Sequence, residues 1–205
     1  ADYSRFGPCR MELYRMTRLP HLLTQYRHVT RHDTSRPMPI SCRMGVNYER
    51  NSIAYQRRAL RSLLKGRLLS GKLSRRSYFR ELRKSQAAIS PFGLGEITLK
   101  DFEIFLTGGL LIKPDMSHLE TWPDLYLPGE TMMAFHWDFS NLDEVLDLAA
   151  TTISKVVAAD GQNNYLRYVS GDSASELFAR RFSELADEAL HNQPVSEFLN
   201  AQKQH

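Results

Sequence analysis

The clearest helical pattern in the chain lies in residues 51–86, NSIAYQRRALRSLLKGRLLSGKLSRRSYFRELRKSQ. Capping residues and apolar spacing predict one helix over 53–69 and a second over 74–86, with Gly71 in the turn between them. In each helix the apolar residues fall on one side and the basic residues on the other. The pattern predicts a basic amphipathic helical hairpin over residues 51–90.

The outer faces of both predicted helices are basic. Glu81 is the only acidic residue between Arg57 and Lys84, whereas an ordinary surface helix mixes Glu with its Arg to form i,i+4 ion pairs. A generic helix pair with solvated charges would show the same periodicity, but the lack of acids favours contact with phosphate groups. The predicted nucleic-acid-binding residues of the hairpin are Arg57, Arg58, Arg61, Lys65, Arg76, Arg80, Arg83 and Lys84.

The two halves of the chain carry opposite charge beneath a net charge of +4. Residues 1–84 contain about twenty Lys and Arg against about five Asp and Glu, and the remainder contains about seven against about eighteen. Arg outnumbers Lys in the basic half by about seventeen to three, and the planar guanidinium matches phosphate oxygens bidentately. The sequence therefore predicts a basic half that binds a polyanion and an acidic half that does not.

Residues 1–50 show neither helical nor strand periodicity and contain several prolines, which predicts a mostly extended arm. Arginines alternate with aromatic rings along it, an arrangement that suits a single-stranded nucleic acid, with phosphates on the cations and bases on the rings. The alternative is that the arm wraps its own acidic domain or a partner subunit. The predicted binding residues of the arm are Arg27, Arg31, Arg36 and Arg43.

Residues 91–205 are predicted to form a small acidic, helix-rich α+β domain with a short sheet. Thr98 and Asp101 have capping-box spacing at the start of a helix, and Gly161 is predicted to end another. The predicted helices cover 99–106, 141–159 and 173–190, and the predicted strands cover 131–139 and 164–170. The fold class of the whole chain is therefore predicted to be α+β, with the arm and the hairpin preceding this domain.

No strong catalytic or metal-binding spacing occurs in the sequence. Two weaker arrangements can be drawn. One is a metal or acid–base cluster with His136 and Asp138 on one face of a strand and, in a nearby loop, Asp115, His118 and Glu120. The other is a tetrahedral metal site of His28, His32, Cys9 and Cys42. We predict no metal, cofactor or catalytic residue, and a chain that is not an enzyme.

The function predicted from these patterns is that of a structural nucleic-acid-binding protein. RNA is favoured over DNA, with little base preference, in a ribonucleoprotein or capsid-like assembly whose protein neighbours contact the acidic domain. A second hypothesis is a self-assembling or adaptor module whose basic half docks on acidic halves of neighbours. A third is a helix-hairpin DNA-binding regulator.

The compartment is predicted to be intracellular. The sequence lacks an apolar run of roughly 18 residues and an apolar N-terminal signal, so neither a membrane nor export is predicted. The two cysteines are too few for a disulfide framework and are predicted to be free thiols. The basic, acid-poor N-terminus also matches a mitochondrial leader.

Overall fold

Four short strands form one parallel sheet in the computed structural model, which describes residues 30–31, 36–68, 70–169 and 173–191. The strands pair in chain order, with Ile40 opposite Ala87, Ala87 opposite Leu110 and Ile112 opposite Met133. Most of the predicted arm, including Arg27 and the proposed ligands Cys9, His28 and His32, lies outside the described residues. The strands are β1 (Met38–Ser41), β2 (Ser85–Ile89), β3 (Leu110–Pro114) and β4 (Met133–Phe135).

Six helices accompany the sheet in the described part of the chain, so the predicted α+β class is confirmed. α1 and α2 stand between β1 and β2, α3 joins β2 to β3, and the remaining three follow β4. The helices are α1 (Asn51–Leu63), α2 (Arg75–Lys84), α3 (Leu99–Leu106), α4 (Leu142–Ala149), α5 (Ile153–Val169) and α6 (Ala174–His191).

One face of the sheet packs against α1, α4 and the first turns of α5. Alternate residues of β2, β3 and β4 point to this face, as the two-residue period of a strand requires. Each fully buried large side chain in such a core contributes about 1.5–3 kcal/mol. The sheet supplies Ala87, Ile89, Leu110, Ile112, Met133 and Phe135, and the helices supply Leu60, Leu64, Leu142, Val145, Leu146, Ala149, Val157 and Ala158.

The opposite face of the sheet holds a buried ion pair. Lys113 of β3 is fully buried, and its Nζ lies 3.1 Å from Oδ2 of Asp101 in α3. Asp101 also accepts hydrogen bonds from Ser90 Oγ, from Tyr126 OH and from the backbone N–H of Thr98. The last of these bonds belongs to the predicted capping box, which is confirmed. A carboxylate predicted only as a helix cap therefore also neutralises a buried ammonium group.

The two helices predicted over residues 51–90 are present, and each packs on the sheet. Leu60 of α1 and Leu64 directly after it enter the core described above, while α2 packs against β1 and β2 with Phe79 and Leu82 buried. Ser74 caps α2 as predicted, accepting a hydrogen bond from the backbone N–H of Ser77. Strand β2 begins directly after α2, so strands from the predicted arm, hairpin and acidic domain share one sheet.

Two predicted elements after β4 are wrong. The helix predicted over 141–159 is two helices, α4 and α5, and the strand predicted over 164–170 is the end of α5. Gly161 does not end a helix but lies inside α5, where a Cβ would meet the backbone oxygen of Thr131 at 2.3 Å. Because glycine has no Cβ, α5 approaches the chain before β4 closely and continues as a helix.

The described residues fall into two compact units divided after Gln162. In the second unit, α6 carries a stacked pair of rings, Phe178 and Phe182, with centroids 6.4 Å apart. Phe182 is 64% exposed. Among the helices that the structure describes, none is both long enough and apolar enough to cross a bilayer.

Candidate functional site at the carboxyl ends of the strands

The four strands are parallel, so the segments that follow them meet at one edge of the sheet. Ligands of open parallel sheets bind outside this edge, where the connecting loops leave a crevice. In this chain the segments that begin there start at Cys42, Ser90, Asp115 and His136. A binding site is therefore expected among these segments.

Arg57 of α1 fixes two of these segments in place. Its guanidinium donates to the backbone oxygens of Phe92 at 2.6 Å, Pro91 at 3.2 Å and Gly45 at 3.0 Å, and it stacks over the ring of Tyr48. These carbonyl groups replace water around the charge, which allows the side chain to be buried. Burial lowers the pKa of Arg57 from its ordinary value. The segments after β1 and β2 are thereby tied to α1.

Three rings meet at the ends of β2, β3 and β4. Trp137 packs edge-on against His118, with centroids 4.9 Å apart, and against Phe92, with centroids 5.3 Å apart. The indole N–H donates to the backbone oxygen of Asp115 at 2.9 Å. Trp137 is nevertheless 51% exposed, so a ring fixed on two sides still offers apolar surface to a ligand. Phe92, His118 and Trp137 together form the aromatic cluster.

Two ionised carboxylates lie close in sequence to His118 and Trp137 of the aromatic cluster. Ser117 donates to Asp115 through its hydroxyl at 2.6 Å and its backbone N–H at 3.1 Å, and these bonds lower the Asp115 pKa. The backbone N–H of Ser140 donates to Asp138 at 3.0 Å and lowers the Asp138 pKa in the same way. Both groups are therefore charged at neutral pH and act only as hydrogen-bond acceptors. Such acceptors suit a ligand that carries hydroxyl groups.

The structure brings together part of the cluster drawn from the sequence. His118 and the backbone of Asp115 contact Trp137, as described above, and His118 Nε2 lies 3.9 Å from a carboxylate oxygen of Glu96. His136 and Asp138 do not lie on a strand as predicted, because β4 ends at Phe135. His136 instead pairs through Nδ1 with Ser140 Oγ. Within the described residues, no three His, Cys, Asp or Glu side chains converge as metal ligands, and Glu120 is exposed.

Three of the predicted nucleic-acid-binding arginines point into the protein, so their predicted role is corrected. Besides Arg57, Arg36 is buried and donates to the backbone oxygens of Ser85 and Thr107, at 2.8 and 2.7 Å. Arg43 forms a bidentate ion pair with Glu81. In each case the protein's own oxygens occupy the donors that a phosphate would need. These arginines stabilise the fold.

The other predicted cations of the described residues are exposed. Those on α1 and just after it line a cavity at the end of that helix, and the others lie on α2 or before β1. Exposure alone does not show that these residues bind nucleic acid, so that role stays a prediction. The exposed residues are Arg31, Arg58, Arg61, Lys65, Arg76, Arg80, Arg83 and Lys84.

Two titratable groups of α3, Lys100 and Glu103, were not among the residues predicted from the sequence. Burial lowers the Lys100 pKa to about 8 and raises the Glu103 pKa to about 7. The Lys100 ammonium donates to the backbone oxygen of Arg43 and lies 5.8 Å from the centre of the Tyr78 ring. Groups that change charge near neutral pH suit proton transfer. The only sequence signal for them is their position in a helix whose other residues are mainly apolar.

Stability is expected to depend on pH through Glu103. Its folded pKa of about 7 lies above the ordinary value, so the stability that the neutral carboxyl provides is present below about pH 4.5 and is lost as pH rises through 7. We expect the urea midpoint to fall between pH 5 and pH 7, and Glu103→Gln to remove most of that fall. The exposed Glu49 provides the control, since Glu49→Gln should leave the fall unchanged. An equal slope in Glu103→Gln and the native chain would contradict the assignment.

The fold and this edge together define an α+β domain with a parallel sheet and an exposed, ring-lined surface at the carboxyl ends of its strands. No protein-family model matches the chain, and no curated protein does. Among the solved structures that resemble it are two of Anabaena HepE. One is a complex with UDP-glucose (TM-score 0.47, 10% identity, 81% of this chain and 52% of that one). The other is a complex with UDP and glucose (TM-score 0.46, 9% identity, 80% and 51%). The chain thus spans about half the length of HepE.

Several predictions made from charge do not agree with the structure. The two HepE structures hold a nucleotide sugar or its two parts. The predictions of a structural ribonucleoprotein or capsid-like subunit and of a nucleic-acid partner are corrected, and the prediction of a chain without catalytic function is withdrawn. The physical reason lies in the arginines, since Arg36, Arg43 and Arg57 contribute to the basic excess while bonding internally. Because both TM-scores lie below 0.5, a function for this chain rests on its own residues.

Proposed function

We propose that this chain is a nucleotide-sugar-binding domain of an enzyme and that it binds the ligand at the carboxyl ends of its strands. The half-exposed ring of Trp137, fixed against His118 and Phe92, is the observation that carries the proposal. A rigid aromatic surface stabilises a stacked base or the apolar face of a sugar at little cost in conformational entropy. UDP-glucose, which HepE holds, contains both kinds of ring.

The polar groups near Trp137 supply the rest of the expected recognition. Asp115 and Asp138 are ionised acceptors for hydroxyl groups. His118 can donate or accept through its ring nitrogens, and Glu96 lies beside it. Specific pockets combine apolar walls with a few placed polar groups in this way. Arg57 ties the segment that carries Phe92 to α1, and the indole N–H ties Trp137 to the segment after β3. The geometry of the site is therefore set before a ligand arrives.

Removing the indole of Trp137 is expected to weaken UDP-glucose binding by about tenfold or more, since aromatic stacking of one ring contributes about 1–3 kcal/mol. Isothermal titration of the full chain with UDP-glucose, for the native protein and Trp137→Ala, measures the effect. Competition by uridine and by glucose separately identifies which ring stacks on the indole.

The matched control is Tyr55→Ala, which removes an aromatic ring that is 72% exposed on α1. This variant should bind UDP-glucose as the native chain does. Unchanged affinity in Trp137→Ala, or equal losses in the two variants, would refute the site. Failure of the native chain to bind UDP-glucose at millimolar concentration would refute the proposed ligand.

A further inference from the structure

A cavity of about 390 Å³ lies at the C-terminal end of α1. Its volume falls within the range of about 300–1,000 Å³ that is typical of small-molecule sites. One wall is the outer face of α1 and the other is the chain that turns back after the helix. The lining residues are Arg58, Arg61, Ser62, Lys65, Gly66, Leu68 and Ser70.

The cations of this cavity converge from one helix face. Arg58, Arg61 and Lys65 are spaced i, i+3 and i+7, which places them one above the other along α1 and the turn that follows it. All three are exposed. Among the residues that the structure describes, no carboxylate forms an ion pair with any of them. Three positive charges therefore face the cavity without a counter-charge from the described chain.

The second wall is held in place at several points. Gly66 adopts φ +79°, which allows the chain to reverse direction after α1. Leu68 packs against the core, Arg67 forms an ion pair with Asp143 at the start of α4, and the backbone oxygen of Ser70 accepts from Arg43 at 3.3 Å. The described residues of this wall, 66–68 and 70, are thus anchored at several points.

Cations at the C-terminal end of a helix also complement the helix dipole. Interaction with the helix dipole requires neither a cavity nor cations that share one face of the helix, and this chain has both. The helix end offers carbonyl groups and not free N–H groups, so an anion in the cavity would be held by side chains. Guanidinium groups bind phosphate oxygens through paired hydrogen bonds, and the serine hydroxyls can add further donors.

We propose that this cavity binds the diphosphate group of a small molecule, at a site separate from the aromatic cluster. Two adjacent phosphates carry enough negative charge to balance Arg58, Arg61 and Lys65. Inorganic pyrophosphate and a nucleoside diphosphate both supply this group, and the lining residues include no aromatic ring that would select a base.

Titration calorimetry of the full chain with inorganic pyrophosphate at low ionic strength tests the proposal. The native chain should bind one equivalent, and Arg61→Ala/Lys65→Ala should weaken binding by about tenfold or more, because two charge-assisted contacts are lost. The matched control is Arg76→Ala/Arg80→Ala, which removes the same charge from exposed positions on α2. After allowance for the screening of charges by salt, its affinity for pyrophosphate should lie within about twofold of that of the native chain.

Further measurements distinguish the possible sources of the diphosphate and distinguish this cavity from the aromatic cluster. UDP and ADP should displace pyrophosphate about equally, and Trp137→Ala should leave pyrophosphate binding unchanged, even if the proposed UDP-glucose site fails. Equal losses in the two double variants would show general charge attraction and overturn the proposal. Absence of pyrophosphate binding, or a single-stranded oligonucleotide that binds while pyrophosphate fails to displace it, would overturn it as well.

Discussion

Lys113→Met is expected to destabilise the protein by about 3–5 kcal/mol, the usual result of removing one partner of a buried ion pair. Lys113 and Asp101 are both fully buried, so the variant leaves a carboxylate with no ammonium group beside it and no water to replace the charge. Burial already lowers the Lys113 pKa, while Asp101 favours the charged form. The ammonium also lies 5.2 Å from the centre of the Phe92 ring, so the loss extends to the aromatic cluster.

Urea unfolding followed by circular dichroism measures this effect as a shift of the midpoint at constant slope. Lys72→Met, at an exposed lysine, should change stability by no more than about 0.5 kcal/mol. The double variant Lys113→Met/Asp101→Asn should recover part of the loss, because the remaining side chain is neutral. A loss below about 1 kcal/mol in Lys113→Met would show that the pair does not stabilise the fold.

Gly161→Ala is expected to have the second-largest effect on stability. Alanine ordinarily stabilises a helix relative to glycine by about 1 kcal/mol, but here its Cβ would lie 2.3 Å from Thr131 O and 2.9 Å from Phe105 Cε1. The first contact is with backbone, which has no rotamer to change, so α5 must shift away from the core. Overpacking of this kind costs about 1–3 kcal/mol, and we expect the upper end.

Thermal and urea unfolding of Gly161→Ala should therefore show a clear loss of stability. Gly45→Ala is the control, because a Cβ at position 45 would have no heavy atom within 4 Å beyond its chain neighbours. This control should differ from the native chain by about 0.5 kcal/mol or less. A Gly161→Ala variant as stable as Gly45→Ala would mean that α5 can move without cost.

The features that could be predicted from the sequence are those determined by neighbouring residues. The Ser74 cap of α2 and the Thr98–Asp101 capping box of α3 depend on residues three apart, and both are present. The sheet depends on distant residues and was largely missed. Strand β2 contains two alanines and follows α2 without a turn, so its residues carry no local strand signal, and its partners lie far away in the chain.

The site was only partly predictable for the same reason. Trp137 and His118 meet because β3 and β4 are neighbours, which no spacing in the sequence specifies. The inward position of Arg57 did have a signal. It stands three residues before Leu60 and seven before Leu64, so it shares their face of α1. The predicted assignment of Arg57 to the outer face followed its charge instead of its position, and the structure corrects it.

The bonds made by Arg57 have a consequence for how this sequence can change during evolution. All three acceptors are backbone oxygens, of Gly45, Pro91 and Phe92, so mutations at those positions can alter the side chains while leaving the acceptors in place. Lysine cannot replace Arg57, because a single ammonium cannot reproduce the fixed fork of donors. Position 57 is therefore constrained by the shape of the main chain, and its bonds place no constraint on the side chains of the residues that accept them.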